Sequence, residues 1–327
     1  MEEKFKYVVA TRCFTYNHAA YIEDTLRGFA MQETSFPVVY IIVDDASTDG
    51  EQNVLRKWSE ENLLVEGDSK LWQTTPYGQL AVSALKGKPN SLFVILLLSE
   101  NHYQAGIGAK KFDYISQWRD NVSYEAICEG DDYWIDPIKL QKQVDYMQSH
   151  PDCCMCFHNA FWLTICNNGV SAKLFADFNL DQDVGIEIIA YKWVVPTASV
   201  LVKREYADTP AWMPKVYCGD YSRTLSYLNV GTVHYINMIS SVYRYNVQKG
   251  SGTMSSIHSG LDVLNEHYKL LKGFRTGAKT EFYPVLDKRI LELQDSIEFH
   301  TIISKKQYWK LIVRPGLLFR KIHEKLH

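Results

Sequence analysis

Two adjacent carboxylates follow a strand-like apolar segment in the stretch Cys128-Glu129-Gly130-Asp131-Asp132-Tyr133-Trp134. On an extended backbone neighbouring side chains point to opposite sides, so Asp131 and Asp132 cannot share one task. One can meet an organic group while the other meets a hard cation such as Mg2+ or Mn2+, which prefers carboxylate oxygen. Gly130 leaves little side-chain bulk in the way of a ligand. A solvated turn after a strand would use the same residue types, so the other polar clusters must decide the reading.

Three such clusters follow apolar runs: Thr15-Tyr16-Asn17-His18, Asp44-Asp45-Ala46-Ser47-Thr48-Asp49-Gly50 and Ser99-Glu100-Asn101-His102-Tyr103-Gln104. Polar groups at the carboxyl ends of parallel strands sit where open α/β sheets bind ligands. A calcium loop starting at Asp45 fails because its twelfth position is Arg56 instead of Glu. Cys153, Cys154, Cys156, His158 and Cys166 raise zinc, but a second well-spaced ligand pair is missing and residues 153–157 also alternate like a buried strand. His18 reads as satisfying its loop, and Trp134 as a core or wall aromatic in preference to a sugar platform.

The elements that must position these groups are legible in part. Residues 7–10 and the β-branched run 38–43 read as strands, with Ile22, Leu26, Phe29 and Ala30 at helical spacing between them. That is a βαβ unit with parallel strands. Thr48 and Glu51 form a capping box that opens a helix over 52–58. Residues 60–90 carry turn signals and no clear element, whereas 92–98 reads as a buried parallel strand. A helix over 110–118 and a strand over 124–128 lead to the acid pair. Beyond it, Pro137 starts a helix with Leu140, Val144 and Met147 on one face, and a more antiparallel half begins at Cys153. In that half Thr197 lies in a turn into a strand, Gly219-Asp220 precede a helix, and 235–245 is a strand containing Arg244. A Gly/Ser-rich segment at 250–253 suits a mobile loop. From Leu261 the pattern is helical to the end, broken at Pro315-Gly316. The division expected is 1–255 for one domain, with halves 1–135 and 136–255, and 256–327 as a helical extension.

Composition excludes several classes. With 46% hydrophobic and 22% charged residues in 327, the chain can bury a sizeable core. A formal net charge of −3 gives no reason to expect nucleic acid. The start, Met1-Glu2-Glu3-Lys4, shows no apolar leader, and the seven cysteines form an odd set, so the expectation is a cytoplasmic chain with reduced thiols. Residues 305–327 hold seven Lys or Arg and one Glu among aromatic and aliphatic residues. Such an end suits the inner membrane surface as a peripheral contact, or a helical arm with a solvated basic face.

In this order the motifs resemble family 2 glycosyltransferases of GT-A type that act in bacterial surface polysaccharide synthesis. The resemblance covers about residues 5–248. It rests on Cys13-Phe14-Thr15-Tyr16-Asn17, on Val43-Asp44-Asp45-Ala46-Ser47-Thr48-Asp49-Gly50, on Glu129-Gly130-Asp131-Asp132 and on Gly219-Asp220. It implies an α/β, Rossmann-like, mainly parallel sheet with a smaller antiparallel acceptor half and a C-terminal helical extension. It also implies inverting transfer from a nucleotide-sugar donor, a UDP-sugar, to a hydroxyl of a glycan or lipid-linked acceptor, with Mn2+ or Mg2+. Carried over, Thr15 and Asp45 meet the base, Asp131 the ribose and Asp132 the metal; Asp220 is the general base. Asn17, Asp44, Asn101, Gln104, Thr197 and Arg244 complete the substrate-binding set, with Arg244 toward the diphosphate and Asn246 where members often carry a His. Two other classes stand beside this one. A non-catalytic nucleotide-sugar or glycan-binding protein would not need Asp45, Asp131, Asp132 and Asp220 together, and a nucleotidyltransferase would want a Gly-rich loop that Cys13 to His18 lacks.

Overall fold

The run Val-Val-Tyr-Ile-Ile-Val-Asp is buried at every position, because helices cover the strand it forms on both faces. A computed structural model describes residues 7–65, 67, 70–166, 169–246, 260–313 and 316. Its first elements are β1 (Val9–Thr15), α1 (Ile22–Ala30), β2 (Val38–Asp44), α2 (Glu51–Asn62), β3 (Trp72–Thr75), β4 (Gly78–Leu85), β5 (Lys88–Leu98), α3 (Lys110–Arg119), β6 (Tyr124–Ile127) and β7 (Tyr133–Trp134). There follow α4 (Lys139–Ser149), β8 (Cys153–Cys166), β9 (Gly169–Leu174), β10 (Gln182–Asp183), α5 (Ile186–Ile189), β11 (Leu201–Lys203), α6 (Gly219–Leu228), β12 (Thr232–Asn246), α7 (Gly260–Phe274), α8 (Tyr283–Ser304) and α9 (Trp309–Val313).

The strands join one sheet whose centre, β6-β1-β2-β5, is parallel throughout. Alternate residues of the central strands feed two cores. Tyr40, Ile42, Phe93 and Ile95 pack with Leu26 and Phe29 of α1, Leu55 of α2 and Leu140 of α4. Val39, Ile41, Val94 and Leu96 pack with Ile115 of α3 on the other side. Antiparallel strands flank the centre at both edges. β5, β4 and β3 form one meander, and β6, β11 and β8 continue the sheet on the other side. The meander fills the stretch 60–90, which carried no legible element. Its strands β3 and β4 are largely half-exposed, so they lack the apolar run that marked β5.

Several boundaries differ from expectation for local reasons. The first strand begins at Val9 and continues through Thr15 because it pairs along its whole length with β2. The expected capping box does not form: α2 has Gly50 at its N-cap and no side-chain cap. Glu51 turns instead to Thr15, His18 and Ser47, while Asp49 accepts the Glu51 N–H at 3.1 Å. Residues Cys153 to Phe157 do not alternate; all five are buried. Gly219 and Asp220 lie inside the first turn of α6 instead of before it.

By packing the chain forms two units. The first holds the sheet; the second gathers residues 184–193, 209–230 and the helices after 246. In that second unit Tyr221 of α6 donates to the Ile189 carbonyl at 2.5 Å, and Trp212 stacks on Phe274 of α7. No described helix is long and apolar enough to cross a membrane. The Gly/Ser-rich segment 250–253 and residues 314, 315 and 317–327 of the basic end lie outside the described residues.

One buried charge in the first unit gives a measurable signature. Lys139 of α4 is wholly buried, its Nζ 2.7 Å from Gln143 Oε1 and 4.1 Å from the Trp134 ring centroid. Burial pushes its pKa down to about 7, against smaller upward pulls from Cys128, Cys156 and Asp136. A lysine depressed in the fold binds its proton more tightly once unfolded, so the destabilisation is complete below about pH 7 and is relieved toward about pH 10.4. Relative to Lys139→Met, the native chain is therefore expected to gain up to about 1.4 kcal/mol per pH unit across that window. Denaturant titrations of both chains at several pH values check this, and a difference that stays flat removes the account.

Candidate active site

The parallel register brings three polar clusters to one edge. Thr15 ends β1 opposite Asp44 at the end of β2, and Arg12 of β1 faces Ile127 at the end of β6. Backbone bonds carry the alignment past the strands: Asp45 N–H donates to the Thr15 carbonyl at 2.9 Å and Gly130 N–H to the Phe14 carbonyl at 3.3 Å. Only glycine fits at 130, since a Cβ there would lie 2.0 Å from Thr15 Oγ1 and 2.5 Å from Thr15 Cβ. The residues after β5 join the same edge, because Leu97 pairs with Asp44.

The two acids differ in environment. Asp132 is 2% exposed, and its Oδ1 accepts the Arg244 N–H at 2.8 Å. Burial first, and then the neighbouring Asp131 charge, hold its carboxyl well above the usual carboxylate range against the pull of Arg244. Asp131 stays open to solvent, its Oδ2 3.8 Å from His18 Nε2. Arg244 is buried and tied down: its guanidinium donates to the Asp131 carbonyl at 3.0 Å, pairs with Asp24 and lies over Tyr133.

This donor set fits a hard divalent cation. A buried carboxylate repelled by its neighbour, as Asp132 is by Asp131, gains from a positive charge, and its oxygens match Mg2+ or Mn2+ chemistry. Among the described residues no three His, Cys, Asp or Glu side chains gather as a metal cage. A Mg2+ site completed by ligand phosphates needs only one or two protein carboxylates, and Asp132 alone meets that requirement.

The remaining candidates mostly order loops. Both oxygens of Asp45 are occupied: Oδ1 accepts His102 N–H at 2.8 Å, and Oδ2 accepts Tyr103 N–H at 3.1 Å and Lys111 Nζ at 2.8 Å. Asn17, at φ 59°, receives the Thr48 N–H on its Oδ1 at 2.8 Å. Asp44 is fully buried and receives Ser47 N–H and Gln52 Nε2 on Oδ1, while Oδ2 has no partner. Burial raises its pKa, and those bonds oppose the rise. Asn101 accepts the Gln104 N–H at 2.7 Å, and the exposed Gln104 amide lies 3.5 Å from the Tyr16 hydroxyl. Thr197 is buried in the turn before β11, and the next residue, Ala198, accepts Trp134 Nε1–H at 2.7 Å. Trp134 is accordingly a core residue, 1% exposed. Asp220 belongs to the second unit, in the first turn of α6, a helix whose N-cap is Cys218 with no side-chain capping bond.

Two participants escaped the sequence reading. Lys111, Ile115 and Arg119 form the buried stripe of α3 at four-residue spacing. Two cations on a core-facing stripe are a signal that buried acids await them, here Asp45 and Glu125. Glu51 is fully buried and receives Thr15 Oγ1–H at 2.5 Å, His18 N–H at 2.8 Å and Ser47 Oγ–H at 2.9 Å. Burial raises its pKa while these bonds hold it down. Its place in a capping pattern hid this role.

No family model matches the chain. The uncharacterized proteins Mb1547 of Mycobacterium bovis and Rv1520 of Mycobacterium tuberculosis are each 28% identical to it, over 77% of this chain and 68% of theirs. Among solved structures, S. aureus TarS 1-349 in complex with UDP-GlcNAc is similar with a TM-score of 0.55 at 16% identity, covering 88% of this chain and 72% of that one. The mannosyltransferase PcManGT from Pyrobaculum calidifontis, in complex with GDP-Man and Mn2+, gives 0.53 at 14% identity, covering 99% and 82%. This chain has their fold. It is the expected α/β architecture, a large sheet parallel at its centre with antiparallel strands and C-terminal helices.

Proposed function

We propose that this chain is an inverting, metal-dependent glycosyltransferase of family 2 type. It would move a sugar from a UDP-sugar to a hydroxyl of a glycan or lipid-linked acceptor in cell-surface polysaccharide synthesis. The observation that carries the reading is the convergence of Thr15, Asp44-Asp45 and Gly130-Asp131-Asp132 at the carboxyl ends of adjacent parallel strands. The similar structures named above contain UDP-GlcNAc, or GDP-Man with Mn2+, which supports a nucleotide-sugar donor and a divalent cation.

In this reading Asp131 meets the donor's ribose and Asp132 holds Mn2+ or Mg2+. When bound, the cation neutralises charge developing on the leaving diphosphate. Asp220 takes the proton from the acceptor hydroxyl as its oxygen attacks the anomeric carbon. The bond to the diphosphate breaks on the opposite face, the electron pair leaves with the phosphate oxygen, and configuration inverts. Tyr308 and Trp309, both more than half exposed, support a membrane-surface contact for the basic end. Liposome sedimentation that persists after removal of residues 305–327 would dismiss that contact.

A panel of nucleotide sugars, assayed for binding and for hydrolysis with Mn2+ or chelator, tests the function. Metal-dependent binding and hydrolysis of a UDP-sugar is the expected result, and absence of binding across the panel ends the proposal. The alternative reading is a protein that binds nucleotide sugar without turnover. Binding without hydrolysis or transfer in the same panel would select it.

A further inference from the structure

Hydrogen-bond directions behind the acid edge determine which atom His18 presents to it. Thr15 has one hydroxyl proton, and it goes to Glu51 Oε1 at 2.5 Å. Glu51 Oε2 receives two further donors, His18 N–H and Ser47 Oγ–H, and Ser47 Oγ in turn accepts Asn17 N–H at 2.9 Å. The Thr15 oxygen, 3.1 Å from His18 Nδ1, is then left to accept, so Nδ1 carries a proton. In the neutral imidazole that leaves a lone pair on Nε2, the atom that lies 3.8 Å from Asp131 Oδ2. Both side chains keep part of their surface open, 24% for His18 and 21% for Asp131. Gly130 allows the arrangement, since a Cβ there would also come within 3.1 Å of Nδ1.

We infer that His18 Nε2 and Asp131 form a pair of acceptors for the two vicinal hydroxyls of the donor's ribose, with Glu51 as the positioning residue that sets the His18 tautomer through Thr15. The inference rests on the nucleotide-donor reading and deepens it: the site selects ribonucleotides over deoxyribonucleotides by two separate acceptors. A diol is the chemistry that two neighbouring acceptors match, each taking one O–H. Removing either hydroxyl leaves one acceptor unpaired.

Calorimetry with UDP, 2′-deoxy-UDP and 3′-deoxy-UDP in Mn2+ tests the pairing. The native chain is expected to bind UDP about tenfold more tightly than either analogue, the size of one lost hydrogen bond. His18→Phe, which cannot accept, is expected to bind UDP about tenfold less tightly. It should also cease to distinguish UDP from one analogue while still distinguishing it from the other. Unchanged ratios against both analogues in His18→Phe would overturn the role of His18 and leave the donor reading standing. If the native chain binds no nucleoside diphosphate with or without Mn2+, both fall. The part played by Glu51 is read separately, from the 15N shifts of the His18 ring. Glu51→Gln is expected to move the proton from Nδ1 toward Nε2, and an unchanged ring spectrum in that variant removes Glu51 from the inference.

Discussion

Asp220→Asn is expected to lower sugar transfer by about 10²-fold or more while leaving the donor's dissociation constant nearly unchanged. Asn matches Asp in shape but takes no proton at neutral pH, so the substitution isolates base catalysis. The competing account makes Asp220 a helix cap, and the geometry of α6 weakens it. The helix begins at Gly219, its N-cap is Cys218, and it has no side-chain capping bond. A structural role for Asp220 would include its negative charge in the first turn, worth about 0.3–1 kcal/mol of stability. That cost would appear in the melting temperature and leave turnover near native. Melting, nucleotide affinity and turnover should therefore be measured on the same variant. Near-native turnover removes Asp220 from the mechanism, and lost donor binding moves it to the metal site.

The second large effect concerns Asp132, where function and stability should separate. Asp132→Asn keeps an oxygen to accept the Arg244 N–H and deletes the charge. With Mn2+ present, UDP affinity of the variant is expected to fall to the value the native chain shows in chelator. Without metal the same variant should melt higher than the native chain at neutral pH. The sign follows from the raised pKa. A carboxyl whose folded pKa exceeds its unfolded value contributes stability below about pH 3.9 and loses it as pH rises through the folded pKa. At neutral pH the metal-free fold thus carries the cost of burying this acid, which Asn relieves. Equal UDP affinity of the native chain in Mn2+ and in chelator would discard the metal assignment, and an unaltered melting temperature would discard the electrostatic one.

Most of the sheet was legible because its parallel strands are covered on both faces and announce themselves as continuous apolar runs, as at Val38–Asp44. The meander of β3 and β4 was not, since its half-exposed strands have no such run. At the site, the clusters themselves were visible from residue type and order. Their internal bonding was not. Asp45 reads as a free carboxylate until the fold brings Lys111 and the 102–103 backbone to it from more than fifty residues away in sequence. Glu51 reads as a cap because local spacing cannot reveal that Thr15, at the end of β1, competes for its oxygens. The second unit was obscured for a similar reason: α6 packs with helices that follow a long strand, and order along the chain does not display that partnership.

The strand that delivers the acids has a further consequence during synthesis. β6 pairs on one side with β1, which precedes it, but on the other side with β11, only three residues long and completed at Lys203. A growing chain that has released β6 without β11 presents an open edge of backbone N–H and carbonyl groups beside apolar side chains, a template for pairing with another chain. Leu201 closes that edge while also bonding to β8 through Cys156. The short strand β11 thus covers that edge in the folded chain, and chains cut before it are expected to aggregate instead of folding into a smaller unit.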